Sequence, residues 1–178
     1  CISGGEDCKE ITPTTKINVN AGNKEEIMKA LAEEMSDCWW QFAEGKTDYG
    51  TAVSPTVDYA LCSIVAFDPS VQEKVKEISY SEFYIYLENT KKSQSQTYLQ
   101  YLYGISKTNL FVPDEQVRVI VNQDKILTSE KYSVVTGVDN NLIEEEPFFE
   151  DDVILKVYII PTLETSSRLE EGRFITKA

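Results

Sequence analysis

The chain has 178 residues, 42% of them apolar and 26% charged, which suits one folded domain with a real core and argues against disorder. Thirty Asp and Glu against seventeen Lys and Arg leave a net charge of −13, a surface that repels nucleic-acid backbones and anionic lipid headgroups. Histidine is absent, which removes Ser-His-Asp and Cys-His catalysis and every His-bearing zinc site.

Residues 1–14 read as an irregular arm, broken by Gly4, Gly5 and Pro13. Residues 15–20 alternate apolar and polar, as a short strand with one buried face does. Residues 23–45 read as a long amphipathic helix. Ile27, Leu31, Met35, Cys38 and Phe42 recur at three- and four-residue spacing and form one apolar stripe. Asn23 is placed to cap the first turn, Glu26 to complete a capping box and Gly45 to end the helix. Trp39 flanks the stripe. Trp40 falls on the opposite side with Lys29, Glu33 and Asp37, where it must be roofed over or left out for a partner; residues 45–56 are expected to cover it.

Residues 57–67 are apolar on both alternating faces, the pattern of a central strand covered on both sides. Asp68 and Pro69 then open a helix expected to run to Ile78. Ser79 with Glu82, and Ser93 with Gln96, mark two further helices over 80–89 and 97–103, the second stopping at Gly104. These two hold six of the ten tyrosines, most of which are expected to pack. Beyond Pro113 the period becomes two, predicting strands at 116–122, 131–136 and 152–160, with a turn over 122–125. The order predicts an α+β fold: a single domain over 15–161, with one long amphipathic N-terminal helix and several short helices packed on a mainly antiparallel sheet. A polar tail follows over 162–178.

Four cysteines, Cys1, Cys8, Cys38 and Cys62, lie in no Cys-x-x-Cys spacing and allow three pairings. Cys1–Cys8 and Cys38–Cys62 are the favoured bridges and imply an oxidising compartment. The alternatives are reduced core thiols at Cys38 and Cys62, or a lipid carried by Cys1. The chain starts at Cys1 rather than Met, which is read as the sign that an upstream segment has been removed, by the cell or by the experimenter. The acidic run 139–152 offers oxygen ligands without the order of a calcium loop and reads as a solvated connection between strands, with weak calcium binding as the alternative. No catalytic, cofactor-binding or metal-binding residues are assigned. Trp40, Tyr84, Tyr98 and Tyr101 are the candidates for meeting a partner.

Cys38-Trp-Trp-Gln-Phe-Ala-Glu-Gly-Lys46, followed by Leu61-Cys-Ser-Ile-Val-Ala-Phe-Asp68, Ile78-Ser-Tyr-Ser-Glu-Phe-Tyr-Ile-Tyr-Leu87 and Ser95-Gln-Thr-Tyr-Leu-Gln-Tyr-Leu-Tyr-Gly104, resembles uncharacterised proteins of small-genome (DPANN) archaea. These typically join one N-terminal membrane helix to an ectodomain. The resemblance covers roughly residues 23–104 and implies a membrane-anchored ectodomain; it transfers no functional residues. Two functions are carried forward. The first is a non-catalytic interaction or structural domain at a cell surface, meeting a protein partner or another copy of itself. Its contact with the membrane would run only through a segment absent from this chain. The second is a carboxylate- or Tyr-based hydrolase acting on carbohydrate or another surface polymer.

Overall fold

A helix with one apolar stripe needs an apolar surface to lie on, and here a sheet supplies it. The computed structural model describes residues 15–17, 22–42, 44, 57–107, 125–139, 153–162 and 173–176. Helix α1 (Lys24–Gln41) buries Ile27, Leu31, Met35 and Cys38, together with Met28, Ala32 and Trp39. It packs on β5 (Lys131–Asp139), β6 (Val153–Pro161) and α4 (Tyr98–Tyr103). Asn23 caps it, its side chain accepting from the Glu26 N–H at 2.9 Å.

The expected long N-terminal helix reaching Gly45 is therefore corrected. Strand β1 (Thr15–Ile17) precedes α1, which is 18 residues long and ends where Phe42 leaves helical geometry at φ −95°, ψ 32°. Glu44 lies in the left-handed region, at φ 57°, and Gly45, expected to end the helix, lies outside the described residues.

Strand β2 (Val57–Phe67) is the centre of the main sheet. β5 runs antiparallel along its whole length, and β6 is antiparallel to β5. On the other side of β2 two short strands share its edge, both parallel to it. β1 lies beside Val65–Phe67 and β7 (Arg173–Thr176) beside Asp58–Leu61. Both faces of β2 are covered, as its two-sided apolar pattern predicts. Val65 and Phe67 join the core under α1, while Leu61 and Ile64 form a second buried cluster with Val135 and Ile160. β7 takes residues expected in a polar tail and puts them in the sheet.

Three further boundaries differ from expectation. α2 (Pro69–Lys74) stops well short of Ile78, because Glu77–Ser79 forms a strand, β3, paired with β4 (Lys125–Leu127). Lys125 is thus a strand residue, not part of a turn, and its ammonium meets Glu77 at 2.7 Å across the pair. α3 (Tyr80–Asn89) begins as expected, with the Ser79 hydroxyl accepting from Glu82 N–H. The box opening α4 is Thr97 with Gln100, where both reciprocal bonds form, and not Ser93 with Gln96. Gly104 ends α4 at φ 72°. The strand expected at 116–122 lies outside the described residues. The fold is α+β with mainly antiparallel sheets, and no helix among the described residues is long and apolar enough to cross a membrane.

Candidate functional site

Successive residues on a helix advance by about 100°, so neighbouring side chains can belong to different worlds. On α1 two adjacent tryptophans do. Trp39 is 4% exposed in the core, and Trp40 is 69% exposed. Trp40 is exposed rather than covered; residues 45–56, expected to cover it, lie outside the described residues. The cause is visible on the helix. Trp39 and the Ile27–Cys38 stripe fill the contact with the sheet, and the residues sharing Trp40's face, Asp37 and Glu33, are exposed charges that keep that face hydrated. Among the described residues Ile85 on α3 is the other large apolar side chain left mostly in solvent.

The tyrosines of α3 and α4 show the opposite tendency. Tyr103 is buried, and its hydroxyl donates to the Val157 carbonyl of β6 at 2.8 Å. The Tyr80 hydroxyl donates to Ile159 O on the same strand at 3.1 Å. The Tyr84 ring packs 6.0 Å from that of Tyr103, which in turn lies 6.3 Å from Tyr158. Burial pushes the Tyr103 phenol well above its ordinary range, helped by its tyrosine neighbours, and also raises Tyr84. These rings tie the helices to the sheet through phenol-to-backbone bonds. Of the four residues expected to meet a partner, Tyr98 is buried and Tyr84 and Tyr101 are half-buried. Only Trp40 presents most of its side chain.

Between α1 and the α3–α4 pair runs a seam of phenols beside carboxylates. Tyr86 is raised first by burial and then by the charges of Glu25 and Glu33; Tyr98 is raised first by burial, then by Glu33, Tyr86 and Asp37. At the end of the seam the Tyr101 hydroxyl donates to Glu44 Oε1 at 3.1 Å, and Glu44 has a left-handed backbone at φ 57°. Burial, that carboxylate and Asp37 push the Tyr101 phenol up to about 12. Lys92, from the exposed hairpin before α4, places its ammonium over the Tyr101 ring, 5.1 Å from the centroid. The arrangement is chemically simple. Aromatic faces and anionic oxygens together attract cations, and Lys92 already occupies one such place.

α1 is held rigidly beneath this surface. Cys38 and Cys62 form a disulfide with a Cα–Cα distance of 5.4 Å. The register between β2 and β5 slips between Leu61 and Ser63, so Cys62 is the extra residue of a bulge. Consequently Cys62 and Ser63 both turn towards α1: one bonds Cys38, and the Ser63 hydroxyl donates to Glu34 Oε2 at 3.1 Å. A bulge is not legible in a pattern of alternating apolar residues, which is why the spacing alone could not aim Cys62. The Glu44–Tyr101 bond was missed for a related reason, since it links segments far apart in sequence, and the Lys92 contact because it needs the hairpin to fold Lys92 back over α4. Cys1, Cys8 and all of the acidic run except Asp139 lie outside the described residues. Among the described residues no three acidic or cysteine side chains are grouped to hold a metal ion. The chain matches no family model, and no curated protein and no solved structure is significantly similar to it.

Proposed function

We propose that this chain is a non-catalytic interaction domain of the extracytoplasmic space, part of a surface-anchored protein, and that it binds a protein partner through the solvent-facing side of α1. The observation that carries this is Trp40: a large indole, 69% exposed, on a helix that is itself fixed to the sheet by a disulfide. A Trp in that position contributes little to the fold and offers the residue type most enriched at binding hot spots. Rigid mounting lowers the ordering cost of association, which favours binding. The Cys38–Cys62 bridge fits an oxidising compartment, and the anchor rests on the resemblance of residues 23–104 to membrane-anchored ectodomains. The phenols shifted upwards at Tyr84, Tyr86, Tyr98, Tyr101 and Tyr103 stay neutral near pH 7 and lend no support to a Tyr-based hydrolase.

The test is site-specific photo-crosslinking in the source cells. A benzophenone side chain replaces Trp40 in one experiment and the exposed Gln94 of the hairpin in another. A discrete protein adduct at position 40, absent at 94, is expected. Identical or no adducts at the two positions would contradict the proposal.

A further inference from the structure

We infer that the partner's contact at this face is a cationic side chain, an Arg or Lys in a basic segment, stacked on Trp40 with Asp37 as its counter-charge; this rests on the proposal that the Trp40 face binds a protein. Asp37 lies one helical turn before Trp40, and residues at that spacing have Cβ atoms about 5–6 Å apart, the distance that lets one guanidinium touch both a ring and a carboxylate. Glu33 lies one further turn back, and the ammonium of Lys29 is 3.8 Å from it in an exposed pair that competes only weakly with an incoming cation. The molecule holds a related contact on its own surface, Lys92 over the ring of Tyr101, beside the Glu44 carboxylate that the Tyr101 hydroxyl bonds. Charge also selects among occupants. A second copy of this chain would bring another −13 to the face, whereas a basic segment is drawn to it.

The probe is an acetylated, amidated peptide of alternating Gly and Arg, with a citrulline version of equal shape and no charge. It is titrated into the unaltered protein while the indole N–H peak of Trp40, assigned with Trp40→Phe, is followed by two-dimensional NMR. The Arg peptide should move that peak at low salt and the citrulline peptide should not. Trp40→Ala should weaken binding about two- to fivefold, the size of an exposed cation–π contact. Asp37→Asn should weaken it more than Glu73→Gln, which removes the same charge from exposed α2. Equal losses from those two would mean that net charge alone attracts the peptide, and the inference fails. It fails also if the citrulline peptide binds as well, which points to an apolar partner, or if the peak moves with protein concentration alone, which points to a second copy. A protein adduct at position 40 combined with any of these results leaves the interaction domain standing and removes only its cationic partner.

Discussion

On one face of α1 Trp39 lies in the core among Ile27, Leu31 and Met35; on the other, one residue later, Trp40 stands in solvent beside Asp37 and Glu33. Backbone, helix and residue type are the same, so the difference comes entirely from what each side chain meets. The inner face meets β5, β6 and α4 and removes apolar surface from water, worth about 25 cal/mol per Å². The outer face forgoes that gain for the largest side chain available. A fold under no other demand would have a polar residue there, as it does at Lys29, Glu33 and Asp37.

Substitutions should separate the two faces. Trp39→Ala should cost about 3–5 kcal/mol in urea unfolding, as for a core aromatic. A cost under about 1 kcal/mol would show that the inner face is loosely packed. Next comes the disulfide, which joins residues 24 apart. Replacing Cys38 and Cys62 together by Ala should cost roughly 3 kcal/mol by the loop-entropy estimate, read from the same unfolding curves. Tyr103→Phe removes the bond to Val157 O and should cost about 1–2 kcal/mol, since it strips a partner from a buried carbonyl. A neutral result there would mean that only the ring matters.

Alkali tests the phenol seam as a group. Tyr84, Tyr86, Tyr98, Tyr101 and Tyr103 all hold their protons more tightly folded than unfolded, all through burial first and the last four also through nearby carboxylates or other phenols. Between the unfolded value near 10 and the raised values, the unfolded chain has lost protons that the native one keeps. Stability is therefore complete below pH 10 and falls as pH rises towards about 12, the value for Tyr101. Thermal midpoints measured across that window should drop, together with an ultraviolet phenolate titration delayed relative to free tyrosine. The smallest effect belongs to the outer face: Trp40→Ala should leave stability within about 0.5 kcal/mol of the unaltered chain.

Local patterns carried much of this fold, and pairings between distant segments carried the rest. The stripe on α1, the Asn23 and Ser79 caps, the two-sided apolar run of β2 and the Gly104 stop are read within a few residues, and they appear where their spacing puts them. β3 looked like the end of α2, because its backbone partners are on β4, nearly fifty residues away, with Thr128 closing onto Val75 O at 2.6 Å. Non-local pairing overrides helix preference in such short segments. β7 was hidden in a polar stretch, since an edge strand of four residues needs no apolar run. For the site, the odd placement of Trp40 was legible on the helical wheel, but its exposure was not. Whether a neighbour roofs a side chain depends on tertiary packing, and the charged residues on its own face proved the better guide. Most of the tyrosines pack, as their clustering on two helices suggested, but which of them do was not legible: Tyr98, one of the partner candidates, is buried against the side of α1.

The contrast between the two tryptophans can be measured without any partner. Trp39→Phe leaves Trp40 as the single indole, and Trp40→Phe leaves Trp39. Acrylamide quenching of the two proteins should differ several-fold, as expected for an indole in water against one in a packed core, with the Trp40 protein the more strongly quenched and the redder in emission. Equal, weak quenching in both would show that Trp40 is covered in solution, and the binding face proposed for α1 would then not exist.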